Sequence, residues 1–344
     1  MSQNSEIKKA ACYIIAEISA NHNGSLGTAL EMVKIAKEAG ADAVKIQTYT
    51  ADTLTLDSDQ DYFKIGGGTL WDGQTLYQLY QEAHTPWDWH EAIFKEARNL
   101  GIDCFSTPFD ETAVDFLEQF DPPFYKIASF ELVHHPLLKK VAQTGRPVIM
   151  STGMATLDEI ALAVEVLRSN GCQNLTLLKC TSSYPAPAAE ANLARIPHMA
   201  QTFGCRAGLS DHTLGVAVPI AAVAIGAEVI EKHFCRSRSE PGPDSAFSLE
   251  PQEFREMVDA VRIAELAIGE VTYQRTEKEQ NSLMFRRSLF FTQDLPVGHV
   301  VTFEDVKVVR PGHGLKPEYL DCIIGTTLST TVSAGTPVDW NTLK

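Results

Sequence analysis

From about Ala11 to Gly269, short apolar or β-branched runs alternate with longer segments whose apolar residues recur at helical spacing. This rhythm predicts repeated βα units and a parallel sheet. Eight runs read as strands: Tyr13 to Ile18, Ala43 to Gln47, Asp103 to Ser106, Phe124 to Ala128, Val148 to Ser151, Thr176 to Cys180, Arg206 to Leu209 and Val229 to Lys232. Leu26, Leu30, Val33 and Ala36 form one helical stripe after the Asn23-Gly24 turn. Thr156 and Glu159 have capping-box spacing ahead of Ile160, Val164 and Leu167. Pro251 opens a last helix carrying Phe254, Val258, Val261 and Glu265. Eight strands and eight helices over about 260 residues predict an α/β fold closed into a (β/α)8 TIM barrel. A doubly wound open sheet is the competing architecture, but no Gly-x-Gly-x-x-Gly follows the first strand.

Beyond Gly269 the pattern changes. Glu270 to Ser282 is polar, and the remainder is β-rich. The expected division is a barrel over residues 1–269, a linker over 270–285 and a small module over 286–344. Within the module Gly298, Val301, Phe303 and Val306 are spaced like Gly335, Val338, Trp340 and Leu343, which suggests two related half-motifs. The stretch from Asp52 to Gln74, with Gly66-Gly67-Gly68, reads as an insertion after the second strand, either a lid on the catalytic face or a passive surface loop.

Composition narrows the function classes. The chain has 344 residues, 44% hydrophobic and 21% charged, which suits a globular protein with one large and one small domain. No apolar run approaches the ~20 residues that cross a bilayer, and the start, Met1 to Lys9, lacks a signal-peptide core. A cytoplasmic location is the expectation. Seven cysteines without a Cys-x-x-Cys pair read as reduced thiols. A formal charge of −15 with no basic stretch argues against nucleic-acid binding, so an anionic substrate would need locally gathered Lys and Arg.

Residues at the C-terminal ends of barrel strands face the active site. Here they are strongly polar: Glu17, Asn21 and His22; Lys45 and Gln47; Ser106 and Thr107; Lys126, Ser129 and Glu131; Ser151 and Thr152; Lys179, Thr181, Ser182 and Tyr184; Ser210, Asp211 and His212; Glu231, Lys232 and His233. Lysines with several hydroxyls suit a phosphate and a carboxylate. His212 and His233, ending adjacent strands beside Glu17 or Asp211, suit a divalent metal with open positions. Phosphate, carboxylate, metal and carbonyl together suggest carbon–carbon bond formation. Plainer readings exist: Lys45 and Lys126 as partners of barrel carboxylates, Ser106, Thr107, Ser151 and Thr152 as helix caps, and Asp244 as a turn residue.

These strings, in this order, resemble the sialic acid synthase family of phosphoenolpyruvate-condensing enzymes. The likeness runs through Ala16 to Ser25, Val44 to Thr48, Phe105 to Phe109, Tyr125 to Glu131, Ser151 to Met154, Gly208 to Thr213, Glu231 to Phe234 and Pro241 to Asp244. The last module, with Val309 to Gly314, resembles the family's antifreeze-like (SAF) domain. Ile46 to Thr50, Leu54 to Leu56, Leu70 to Asp72, Thr85 to Trp87, Ala128 to Glu131 and Leu178 to Ser182 lean toward the branch that makes pseudaminic acid. Members that use N-acetylmannosamine tend to show Gly-Ser-Gly-Glu at the fourth strand and Asn where this chain has Ser182.

The resemblance implies condensation of phosphoenolpyruvate with 2,4-diacetamido-2,4,6-trideoxy-L-altrose by carbon–oxygen cleavage, releasing phosphate. The alternative is a synthase of N-acetylneuraminic or legionaminic acid. It implies Mn2+ on His212 and His233, with Mg2+ or Co2+ as alternatives, and Glu17 as base. Lys45, Thr107, Lys126, Ser129, Ser151 and Ser210 would hold phosphoenolpyruvate, and Gln47, Ser182, Tyr184, Asp244 and Arg310 would complete the substrate contacts. It also implies a homodimer in which the SAF domain, through Arg310, caps the partner's active site. A Schiff-base aldolase built on Lys126, and a non-catalytic ice- or carbohydrate-binding protein, are the readings that compete from other classes.

Overall fold

The computed structural model describes residues 11–66, 68, 71–240 and 242–344. The Met1 to Lys9 start, Gly67, Leu70 and Pro241 lie outside the described residues. The chain divides into two compact units, Met1–Gly269 and Glu270–Lys344.

The first unit is a closed barrel of eight parallel strands in sequential order: β1 (Tyr13–Glu17), β2 (Ala43–Thr48), β3 (Asp103–Pro108), β4 (Tyr125–Ile127), β5 (Val148–Ser151), β6 (Leu175–Cys180), β7 (Arg206–Asp211) and β8 (Val229–His233). β1 closes the ring by pairing with both β2 and β8. All eight runs expected from the sequence are strands, with ends shifted by a residue or two.

Strand alternation sorts side chains into two environments. Ile15, Ala43, Phe105, Ile149, Leu178 and Val229 pack together with Tyr13 and Phe124 and fill the lower lumen. Ile14, Ala16, Val44, Ile46, Leu177, Leu209 and Ile230 belong to the larger core between strands and helices. Gly208 leaves room in this packing, since a Cβ there would stand 2.2 Å from the Val229 carbonyl oxygen and 2.9 Å from Leu178. The lumen below the polar strand ends is therefore solid, and the chemistry is confined to one mouth.

The helices carry the expected signals. Ser25 caps Leu26–Glu38 by accepting from the Thr28 amide at 3.2 Å, and that helix buries Ala29, Met32, Val33 and Ala36. Thr156 and Glu159 form the capping box of Leu157–Ser169. Pro251 stands in the first turn of Pro251–Ile268, which buries Phe254, Met257, Val258 and Val261. The insertion is more ordered than a plain loop, with a helical turn at Ala51–Leu54 where it starts and a bridge between Lys64 and Thr75, and a helix at Leu76–Ala83 follows it.

The second unit has its own core of Leu289, Phe291, Leu295, Val301, Val306, Ile323, Leu328, Val332 and Val338. β9 (Ser288–Phe291) and β10 (Val306–Val309) pair antiparallel. The two half-motifs share a turn glycine in the left-handed region, Gly298 at φ 85° and Gly335 at φ 81°. The stretch read as a linker includes a short helix, Glu277–Ser282, because Thr276 and Glu279 form a capping box.

Candidate active site

The inward-facing strand ends form one buried polar layer. Lys45 pairs with Glu17, donates to Thr107 Oγ1 at 3.1 Å and lies 3.8 Å from Glu231. Lys126 donates to Ser151 Oγ at 2.7 Å and lies 3.6 Å from Glu231. Ser210 donates to Glu231 Oε1 at 2.8 Å, and Glu231 Oε2 makes no hydrogen bond. Two lysines and two carboxyl groups thus share a buried site, a costly arrangement that function has to justify.

The carboxylates are driven apart. Burial raises the Glu17 pKa beyond what Lys45 recovers, and the nearby Glu231 charge adds to the rise. Glu231 is also buried, but Lys126 and Lys45 outweigh that and lower its pKa. Glu17 is accordingly fit to accept a proton, while Glu231 stays an anion that holds the two lysines. Glu231 received no role from the sequence. Its signal was there, because a residue two before His233 on a strand faces the same way.

A neighbouring set of donors centres on Gly153, whose amide donates to Ser129 Oγ at 3.0 Å. A Cβ on Gly153 would meet Ser182 Oγ at 2.2 Å and Ser129 Oγ at 2.8 Å, so any larger residue here would have to turn both hydroxyls aside. Ser182 Oγ is buried and makes no hydrogen bond. Glu131, on the turn after β4, also has a buried oxygen without a hydrogen bond, and burial pushes its carboxyl up to about 7.

His212 and His233 lie side by side, ring centroids 5.3 Å apart. His212 Nδ1 is 2.9 Å from the Thr181 carbonyl; donation there leaves Nε2 with the lone pair. His233 Nδ1 is buried without a hydrogen bond, and burial beside His212 keeps the ring neutral. Cys180 Sγ approaches His212 Nδ1 at 3.9 Å. The residues fit a divalent ion in their chemistry, with two imidazoles and an unsatisfied buried ring nitrogen. Among the described residues no group of three or more His, Cys, Asp or Glu is set to hold an ion, so water or substrate oxygens would complete the shell.

The wall beside the histidines is aromatic. The Tyr184 ring lies 4.4 Å from His212, 5.1 Å from Phe247 and 6.1 Å from Trp71 of the insertion, measured between centroids. The insertion therefore reaches the catalytic mouth. Gln47 donates to Glu17 Oε1 and to Ser19 Oγ, both at 3.2 Å, and Ser19 in turn donates to Asp244. Asp244 is thus part of the site's floor and not merely a turn residue. Arg310 directly follows β10 in the second unit.

Several strand-end residues face the other way. Asp211, read as a neighbour of the metal pair, turns outward and binds Lys232 at 2.5 Å. Ser106 contacts Thr48 and donates to the Ile46 carbonyl, and Thr152 donates to the Leu178 carbonyl. Lys179 donates to Thr181 Oγ1 and the Glu190 carbonyl. None of the four hydroxyls read as caps serves as one: Ser106 and Thr152 bond backbone, while Thr107 and Ser151 accept from lysines. His22 accepts from the Gly24 amide and contacts Thr85, beyond the insertion, at 3.3 Å, which makes it a structural pin.

A barrel with this polar mouth finds its counterpart among known proteins. The NeuB family model matches residues 32–273, and the SAF domain model matches residues 286–344. The chain belongs to the NeuB family. A pseudaminic acid synthase of Campylobacter jejuni is 47% identical over 323 residues, covering 94% of both chains. An N,N'-diacetyllegionaminic acid synthase of Legionella pneumophila is 38% identical over 338 residues, covering 97% of this chain and 95% of that one. Among solved structures, an N-acetylneuraminic acid (sialic acid) synthetase of Leptospira borgpetersenii in complex with citrate aligns at TM-score 0.71 and 30% identity over 80% of this chain and 90% of that chain. Residues 286–344 of the second unit match the SAF domain, and among the described residues no helix is long and apolar enough to cross a membrane.

Proposed function

We propose that this chain is a transferase that condenses phosphoenolpyruvate with the open-chain form of 2,4-diacetamido-2,4,6-trideoxy-L-altrose, giving pseudaminic acid and phosphate. The single observation that carries the reading is the buried pair Lys45 and Lys126, held by Glu231 and flanked by Thr107, Ser151 and Ser210, beside two imidazoles. Such a cradle suits a small dianion bearing a carboxylate, and the 47% identical relative is named for the product.

Lys45, Thr107, Lys126, Ser129, Ser151 and Ser210 hold the phosphate and carboxylate, which fixes the face from which the enol carbon attacks the aldehyde. A divalent ion on His212 and His233, Mn2+ by our reading with Mg2+ or Co2+ as alternatives, supplies Lewis acidity toward a carbonyl oxygen when bound. The new carbon–carbon bond leaves positive charge at the former enol-ether carbon. Water adds there; Glu17 takes one of its protons and returns it to the aldehyde oxygen, which becomes a hydroxyl, and the second leaves with the phosphate. Collapse of the tetrahedral centre breaks the carbon–oxygen bond and releases phosphate.

Gln47, Ser182, Tyr184 and Asp244 form the sugar side. The Trp71–Tyr184–Phe247 group gives that side an apolar character, which suits a trideoxy sugar better than a polyhydroxylated one. Arg310 of a partner subunit completes the site in a cytoplasmic homodimer. The legionaminic reading remains the second choice because the Legionella relative is 38% identical across nearly the whole chain.

The test is phosphate release from phosphoenolpyruvate by metal-loaded enzyme, given the altrose derivative, the legionaminic precursor or N-acetylmannosamine. Selective turnover of the altrose compound is expected. Turnover of another sugar would keep the mechanism and change the substrate, and no release with any of them would reject the condensing reading.

A further inference from the structure

The β7–β8 ladder ends one residue short of both histidines. Its register pairs are Leu209 with Ile230, Ser210 with Glu231 and Asp211 with Lys232. His212 has already left the strand, so backbone pairing with β8 no longer fixes where its ring stands relative to His233. Alternation points Ser210 and Glu231 into the lumen and Asp211 and Lys232 out of it.

On that outer face the side chains continue where the ladder stops. Lys232 binds Asp211 Oδ2 at 2.5 Å and also donates to the Thr213 carbonyl. Asp211 Oδ1 accepts the Thr213 amide at 3.1 Å, and Oδ2 accepts the Thr213 hydroxyl at 3.0 Å. His212 therefore sits between two residues that one ammonium group of β8 ties together. The pair is fully enclosed, with Lys232 at 0% and Asp211 at 3% exposure.

We propose that Asp211, Lys232 and Thr213 form a clasp whose task is to position the two imidazoles for a shared metal ion. Stability alone is a poor reason for it, since a buried ion pair is often matched or bettered by apolar residues of similar size. Outer partners that orient metal ligands, by contrast, typically govern affinity. These are positioning residues, and none of them touches substrate. The inference rests on the reading of His212 and His233 as metal ligands.

The experiment compares the full chain with the double variant Asp211→Leu/Lys232→Met, which removes both charges and avoids an unpaired one. Metal-free protein is checked for cooperative thermal unfolding, and Mn2+ affinity is measured by chelator competition and by electron paramagnetic resonance of the free ion. A folded double variant with affinity reduced about tenfold or more is expected. A folded double variant that binds Mn2+ within about twofold of the wild-type chain overturns the clasp and leaves the metal reading standing. A wild-type chain that binds no divalent ion, matching His212→Ala/His233→Ala, overturns both. If the double variant does not fold, Thr213→Ala decides: removing one strut should weaken Mn2+ binding in a folded protein, and unchanged affinity rejects the clasp.

Discussion

Glu131 shows how much one buried side chain can reveal. Its carboxyl lies on the turn after β4 with one oxygen unbonded, and burial lifts it from an ordinary 4.5 to about 7 against the opposing pull of Lys126. Between those values the folded chain holds a proton that the unfolded chain has released. Stability associated with Glu131 is therefore complete below 4.5 and is lost as pH rises through about 7. A shift of this size corresponds to ~3 kcal/mol at most. The neutral isostere Glu131→Gln should match wild-type stability near pH ~5 and exceed it near pH ~8. Paired denaturant titrations of the metal-free chain at the two pH values check this. A stability difference that does not change with pH would show that the carboxyl is already ionised in the fold. The sequence offers Glu131 only as a strand-end acid; its pKa comes from the surrounding packing, which no local pattern encodes.

The insertion between β2 and β3 is the element on which sequence reading is weakest. Alternation fixes the eight strands, because each places apolar residues on two faces at period two. The same alternation, counted back from His233 and His212, places Glu231 inward and Asp211 outward; that step separates a site residue from a wall residue. No such rule predicts that Trp71 stands beside Tyr184, since the contact joins segments far apart in the chain. What holds the stretch that follows the insertion, Thr85 to His90, is visible only in space. His90 Nδ1 faces the Pro86 carbonyl at 3.2 Å, so Nε2 accepts from Thr48 Oγ1 at 2.7 Å, and His22 contacts Thr85. Burial lowers both histidines to about 4. Each favours folding in its neutral form, so the stability they contribute is present above their ordinary 6.5 and is lost as pH falls toward about 4. Hydrogen exchange of residues 85–90 should accelerate selectively across that window once the intrinsic pH dependence is removed. Equal protection at both ends would mean that other contacts hold this stretch.

At the scale of the whole molecule, three hydrophobic clusters, one around the barrel, one in its lumen and one inside the SAF unit, make two separately anchored folding problems. So small a β-rich unit has little apolar surface to bury, and polar interactions carry more of its architecture. Asp305 is the centre of that network. It is 2% exposed and accepts from the Thr302 amide at 2.7 Å, the Thr302 hydroxyl at 2.8 Å, Gln293 Nε2 at 2.6 Å and His299 Nε2 at 2.8 Å. Burial would raise its pKa, but His299, Thr302 and Gln293 together hold it well below the usual carboxylate range. The sign is opposite to that of Glu131: this contribution is present above the ordinary 3.8 and is lost only as strong acid protonates the carboxyl. Asp305→Ala leaves four donors without their acceptor and should cost about 1–3 kcal/mol in this unit. Amide exchange should then rise across residues 286–344, while the barrel strands keep their protection and the chain keeps its affinity for Mn2+. Arg310 follows β10 in the same unit, so a capping role for it predicts a second consequence: a higher KM for the sugar with the KM for phosphoenolpyruvate unchanged. Loss of affinity for both substrates together would place the SAF unit's contribution in holding the barrel itself, not in closing over the sugar.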